Sequence, residues 1–244
     1  MFAWRDDAPG LVRAFTDRHD GVSVAPFAGL NLGAHVGDDL DAVRTNRAAV
    51  EQAVGMPLVL ADQVHGTDVV HVTRELLDRP RSATTGAVAE GDALVTDLPG
   101  TALGVLVADC TPVLLHDLAG PLVGAAHAGR PGMVGGVVLR LVEAMRDLGA
   151  SDLRATVGPS VCGRCYEVPA DMRAAAMAVS PASAALTWTG TPAIDVATGV
   201  VDQLQAAGVS VEWIPGCARE DAALYSYRRD GRTGRYAGIV GRPA

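Results

Sequence analysis

Residues 92–129 read DALVTDLPGTALGVLVADCTPVLLHDLAGPLVGAAHAG, and how this stretch folds decides the architecture. DALVTD and TALGVLVADC are short apolar runs rich in valine and leucine. LPG between them carries the proline and glycine of a turn, so both read as strands. PLVGAAHAG reads as a further buried strand. It leads into MVGGVVLRLVEAMRDLG, where apolar residues at 134, 137, 138, 141, 142, 145 and 148 keep the spacing of one helix face. Gly149 is placed to stop that helix.

Working outward, apolar positions 43, 50 and 54 ahead of Gly55 predict a helix starting near Asp38 or Asp39. IDVATGVVDQLQAAG predicts a second amphipathic helix ending at Gly208. QVHGTDVVHVT reads as a strand, and DRPRSATTGAVAEGD (78–92) as a loop. Strands and helices mix without a regular βαβ alternation, which gives an α+β sandwich as the fold class. No linker or internal repeat divides the chain, whose length suits one large domain or two small ones.

Composition narrows the function. Of the 244 residues, 49% are hydrophobic but only 4% aromatic, so the core is expected to be built of small aliphatic side chains. The net charge is −8 with no basic run, which argues against a nucleic-acid surface. No stretch has the length and apolarity of a membrane span. The first residues lack the basic and apolar segments of a signal peptide. Four cysteines are too few for a disulfide scaffold of this size. The expectation is a cytoplasmic, monomeric enzyme-sized domain without membrane or nucleic-acid partners.

The glycines of 124–136 match neither a P-loop nor a dinucleotide fingerprint, and their expected service is close packing of helix on sheet. The chemistry points elsewhere. ADQVHGTD presents His65, VLVADCTPVLL presents Cys110 and GAAHAG presents His127, each at or near the end of an apolar run. Two imidazoles and a thiolate suit zinc, with a fourth position open for water or substrate. Taken singly, each reads first as an ordinary loop histidine or a buried structural thiol, and only together do they suggest a site. Asp109 is either an acceptor for a ligand histidine, a general base, or a turn former. Asn31 either binds a sugar or caps a turn. His35 either lines a pocket or sits in a loop. YSYRRDGRTGRYAG holds Arg228, Arg229, Arg232 and Arg235. It reads either as an anion-binding segment or as a hairpin with RDGR at its turn. CGRC at 162–165 invites a redox or zinc-ribbon reading, but no second C-x-x-C exists in the chain.

The segments NLGAHVGDD, DQVHGTDVV, DALVTDLPGTALGVLVADCTPVLLHD, AAHAG, GPSVCGRCYEV and YSYRRDGRTGR, in this order, resemble the YfiH-type laccase-domain family. Its members have been called polyphenol oxidases, peptidoglycan editing factors and purine nucleoside phosphorylases. The resemblance implies two mixed β-sheets packed together and flanked by helices in a four-layer α/β/β/α sandwich, a single domain over residues 1–244. It implies that His65, Cys110 and His127 bind the catalytic metal, zinc, with copper as the alternative. It further implies a purine nucleoside phosphorylase with adenosine deaminase activity, acting on adenosine, inosine, guanosine or methylthioadenosine. Purine nucleoside and phosphate would then be its partners.

A cysteine hydrolase, with Cys110 activated by His127 or His65 and a peptidoglycan precursor as substrate, is the alternative. Multicopper oxidase chemistry is less expected, because it needs more histidines than this chain brings to one place. Catalytic roles therefore fall to His65, Cys110, His127 and Asp109, and substrate contacts to Asn31, His35, Arg130, Arg229 and Arg235. One departure stands out. The family usually reads H-A-G-W-R-G, whereas this chain has His127-Ala128-Gly129-Arg130-Pro131-Gly132. Arg130 is then the residue left to supply the missing charge.

Overall fold

The computed structural model describes residues 1–244. The strands are Phe2–Ala8 (β1), Leu11–Thr16 (β2), Leu58–Val59 (β3), Val69–His71 (β4), Ala93–Thr96 (β5), Thr101–Val107 (β6), Thr111–Asp117 (β7), Val123–Ala128 (β8), Leu153–Val157 (β9), Ala184–Leu186 (β10), Pro192–Ile194 (β11), Ser210–Trp213 (β12) and Tyr236–Arg242 (β13). The helices are Leu40–Val54 (α1), Arg74–Leu77 (α2), Arg130–Gly135 (α3), Val137–Asp147 (α4), Ala170–Val179 (α5), Val196–Ala206 (α6) and Tyr227–Asp230 (α7).

β5, β6, β7 and β8 are buried at every residue, the condition of strands covered on both faces. One sheet runs β1-β2-β13-β6-β3 and the other β12-β9-β7-β8-β5-β4, with β10 and β11 as a separate pair. Both sheets are antiparallel at their centres and gain parallel pairs at their edges: β3 with β6, β12 with β9, β4 with β5. The sheets pack face to face through Phe15, Leu103, Val105, Leu114, Val123 and Ala125. Strand alternation then sends Val113 and Leu115 to the outer face, against Leu141 and Met145 of α4 and Val200 and Leu204 of α6. On the opposite outer face, Val50 and Val54 of α1 cover Ala102, Leu106 and Ile239. The result is the four-layer α/β/β/α sandwich.

The scarcity of aromatics lets these layers approach closely. A Cβ on Gly124 of β8 would lie 3.0 Å from side-chain atoms of Leu141 and Met145, so the glycine there sets the helix–sheet distance.

Local signals act where the sequence places them. Asp39 caps α1 by accepting from the Asp41 N–H, and Gly55 closes it in the left-handed region. Asp195 caps α6 through the Thr198 N–H. Three local expectations are revised. The helix expected across 133–148 is two helices, because Gly136 adopts a φ of 83° that ends α3 and opens α4. QVHGTDVVHVT is strand only over Val69–His71; the preceding residues form a loop held by side-chain acceptors. RDGR is not a hairpin turn: Tyr227–Asp230 forms one helical turn capped by Ser226.

His116 is buried on β7, and its Nδ1 has no hydrogen-bond partner. Burial, together with the charges of Arg13, Arg242 and Arg154, pushes its pKa down to about 4. The unfolded chain therefore takes up this proton near pH 6.5, before the folded one does. The associated stability is complete above pH 6.5 and is lost as the pH falls toward 4. We expect His116→Gln to remove about 2–3 kcal/mol of that acid-dependent loss. Urea unfolding at pH 7.0 and 4.5 checks this, and equal slopes against pH for both proteins would refute it.

Candidate active site

Asp92 lies immediately before β5 and is 1% exposed. Its carboxylate accepts from the backbone N–H groups of Val64 (3.1 Å), His65 (3.0 Å) and Gly66 (2.6 Å). It also pairs with Nδ1 of His127 at 2.8 Å. The Asp92 carbonyl receives the His127 N–H at 2.8 Å. Burial opposes its charge, but the hydrogen bonds from His127 and from the loop backbone hold its pKa below the usual carboxylate value. One acid thus gathers the 64–66 loop and the end of β8 and turns both histidines toward each other.

The rings of His65 and His127 stand 4.8 Å apart, centroid to centroid, nearly edge to face. Cys110 follows β6, and its Sγ is 3.8 Å from Nε2 of His65. One donor atom from each of His65, Cys110 and His127 falls within 4.8 Å of the others. Because Nδ1 of His127 is taken by Asp92, Nε2 is the nitrogen left for this group. His65 and Asp109 adopt φ values of 63° and 90°. Such left-handed conformations are uncommon outside glycine and are retained where the surroundings impose them.

The electrostatics of the group are coupled. Burial disfavours a thiolate at Cys110, but the charge of His127 and hydrogen bonds from both histidines outweigh it and bring the pKa down to about 6. Burial pulls His127 down, while the Cys110 charge and the Asp92 hydrogen bond prevail and lift it to about 9.

These side chains open onto a cavity of about 660 Å³, within the range of small-molecule sites. Arg130, Arg228 and Arg235 line it, with His35, Tyr166 and Tyr227. Three guanidinium groups in one cavity make a cationic pocket on a chain of net charge −8. Arg228 lies over the ring of Tyr166 at 4.8 Å, a cation–π contact that fixes its head. Burial, reinforced by Arg235 and Arg47, pushes His35 down to about 4, so it faces the cavity neutral at pH 7.

Pro131 sits in the first turn of α3, where its missing N–H has no partner to lose. The Arg-Pro pair therefore fits the helix start and leaves Arg130 on the cavity wall.

Several expected residues do other work. Asn31 is fully buried. Its Nδ2 donates to Gly33 O (3.2 Å) and Asp38 Oδ2 (2.8 Å), while its Oδ1 accepts from the N–H groups of Gly33 and Arg235. It shapes the turn and anchors the backbone of Arg235, and no atom is left for a substrate. Arg229 donates to the carbonyls of Ala218, Asp221 and Leu224 and to the Asp230 carboxylate. It ties a loop together outside the cavity. Asp109 lines the cavity, but its carboxylate accepts from Ser226 Oγ and Arg228 N, both at 2.6 Å. The acceptor for the histidine is Asp92 instead. Arg232 donates to Gly37 O and covers the Phe27 ring. Asp92, Arg228, Tyr166 and Tyr227 were not singled out as site residues from sequence. Only Arg228 carried a signal, as part of the arginine-rich segment.

Asp92→Asn keeps the shape but offers one acceptor oxygen and an NH2 group to four donors. We expect a loss of about 3 kcal/mol in chemical denaturation, from donors left unpaired in a buried site. A loss under about 1 kcal/mol would show that the carboxylate is not the organising group.

A family profile described as multi-copper polyphenol oxidoreductase laccase matches residues 12–243. A purine nucleoside phosphorylase of Streptomyces coelicolor is 50% identical over 98% of this chain and 99% of its own. Another from Mycobacterium tuberculosis is 45% identical over 93% of this chain and 90% of its own. Among solved structures, YlmD of Geobacillus stearothermophilus superposes with a TM-score of 0.86 at 35% identity, covering 96% of this chain and 93% of YlmD. The Neisseria meningitidis protein NMB0706 gives 0.84 at 33% identity, covering 99% of each chain.

Proposed function

The chain belongs to the YfiH family of laccase-like proteins, and from that premise we propose that it is a zinc-dependent purine nucleoside phosphorylase that also deaminates adenosine. The observation that carries this reading is the His65–Cys110–His127 group on the wall of a cavity lined by three arginines. The relatives named purine nucleoside phosphorylase support the substrate class.

The residues fit a metal. Two imidazoles and a thiolate are a borderline-soft donor set that suits zinc and admits copper. Space is kept beside them: a Cβ on Gly129 would lie 2.7 Å from His65 Cδ2 and 3.2 Å from Cys110 Sγ. Bound zinc would supply a Lewis acid with a position open to the cavity. The multicopper description fits less well. His19, His71 and His116 belong neither to this donor group nor to the cavity lining, and one His2Cys group is too few ligands for several coppers.

In phosphorolysis, a phosphate oxygen forms a bond to C1′ of the ribose as the bond from C1′ to the purine nitrogen breaks, and the departing base takes up a proton. Arg130, Arg228 and Arg235 would orient the phosphate and neutralise its charge. His35, neutral at working pH, is a hydrogen-bond partner for base or ribose. The ring of Tyr166, lying under Arg228, holds that guanidinium at the cavity wall. We assign inosine, guanosine, adenosine and methylthioadenosine as the substrates, and read the enzyme as a cytoplasmic monomer. No helix is long and apolar enough to cross a membrane.

The low thiol pKa of Cys110 beside His127 favours a cysteine hydrolase as the second reading. Metal content separates the two, since a fully active protein without zinc supports only the hydrolase. The test of the first reading incubates zinc-loaded protein with inosine and phosphate. Free hypoxanthine and ribose-1-phosphate are expected, with turnover abolished in Cys110→Ala. Arg130→Ala should raise KM for phosphate about tenfold, the equivalent of one charge-assisted contact. Absence of turnover across all four nucleosides would reject the assignment.

A further inference from the structure

The CGRC turn finds its missing half in space, 52 residues along the chain. Cys162 and Cys165 lie with Cys217 and Glu220 in one group whose donor atoms fall within 4.8 Å of one another. We propose that these four residues form a second, structural zinc site, independent of the active site and of the activity assigned to it.

The backbone builds two matching turns. In Cys162-Gly-Arg-Cys165, the Cys162 carbonyl accepts from the N–H groups of Cys165 (2.9 Å) and Tyr166 (3.1 Å). In Cys217-Ala-Arg-Glu220, the Cys217 carbonyl accepts from Glu220 (3.0 Å) and Asp221 (2.8 Å) in the same pattern. Each turn presents its first and fourth side chains to one point, the layout of two ligand-bearing knuckles. A bridge between Ser160 and Cys217 fixes the turns side by side, with Ala218 N–H donating to Ser160 O at 3.0 Å. Across the gap, Cys162 N–H points at Cys217 Sγ (3.5 Å), and Cys165 Sγ lies 3.3 Å from Glu220 Oε1.

The packing leaves little freedom to splay the turns. A Cβ on Gly163 would approach Ala185 and Asp195 to 2.8 Å, and one on Gly216 would approach Pro159 to 2.8 Å.

Three sulfurs and a carboxylate suit tetrahedral zinc, whose S–S edges are about 3.8 Å for Zn–S bonds of about 2.3 Å. Closing this group onto an ion takes a contraction of at most about 1 Å. A disulfide would use two sulfurs and leave the third, with Glu220, without a role, whereas one cation engages all four donors. Arg219, directly before Glu220, sits beside Cys165 and brings a positive charge to offset an anionic centre, whereas Arg164 lies over the Trp188 ring.

The site has a structural consequence. Val161 and Tyr166 flank the first knuckle and line the catalytic cavity, and the second knuckle leads into the segment carrying Ser226 and Arg228. A cation here would clamp two loops that wall the cavity, from a cleft that shares no lining residue with it.

The test measures bound metal per chain by mass spectrometry on full-length protein purified under reducing conditions. Cys110→Ser is expected to keep one tightly held zinc. Cys162→Ser/Cys217→Ser is expected to hold one zinc fewer than wild type, whatever the active site binds. No zinc in Cys110→Ser, or an unchanged count in the double variant, overturns the proposal. So does a metal-free protein 2 Da lighter than the reduced mass when purified without reductant, which would assign a disulfide to this cluster. Should the double variant fail to fold, metal-stripped Cys110→Ser is titrated with Co2+. A sulfur-to-cobalt charge-transfer band saturating at one equivalent is expected. Its absence overturns the proposal equally.

Discussion

The carboxylate of Asp92 is the constraint on which the site depends. Three backbone N–H groups of the 64–66 loop and the ring of His127 converge on two oxygens. The loop residues supply no regular structure of their own, and His65 stands in the left-handed region. Without a buried acceptor, that loop would leave several donors unpaired. With it, the loop is pinned to the start of β5, the strand paired with β8, which carries His127. The same contact selects which imidazole nitrogen of His127 faces the cavity, so fold stability and the geometry of the donor group rest on one interaction.

The sandwich supplies the rest by bringing distant strand ends to one edge. Cys110 lies between β6 and β7, directly before Thr111, and Thr111 and Pro112 pair with Ala128 and His127 at the end of β8. The register of β7 on β8 is therefore what sets the thiol beside the imidazole. Small side chains make this approach possible, as Gly129 shows where even a methyl group would fill the space between His65 and Cys110. The cationic lining has a similarly distributed origin. Arg130 comes from the start of α3, Arg228 from α7, and Arg235 from the segment before β13, whose backbone is held by Asn31.

The C-terminal segment serves as scaffold as much as contact surface. Arg229 is spent on loop carbonyls, while its neighbour Arg228 reaches the cavity. Adjacent arginines in one turn project in different directions, so an arginine-rich motif does not disclose which member meets a ligand. Asp109 shows the same ambiguity: its carboxylate holds Ser226 and the Arg228 backbone, and in doing so fixes the wall on which Arg228 stands.

The sequence alone determined those features whose causes lie within a few residues. A helix start at Asp38 or Asp39, the stops at Gly55 and Gly208, and the buried strands within 101–110 and 121–129 follow from local hydrogen bonding and short apolar runs. The residue types at His65, Cys110 and His127 make a soft donor set whatever their distances. The tertiary structure alone decided which side chains meet. Asp92 reaches the 64–66 loop across 26 to 28 residues, and Cys217 and Glu220 complete a turn 55 residues earlier. Those pairings depend on sheet register and loop closure. Such relations join residues with no periodic or spacing relation in the chain, and only packing can bring them together.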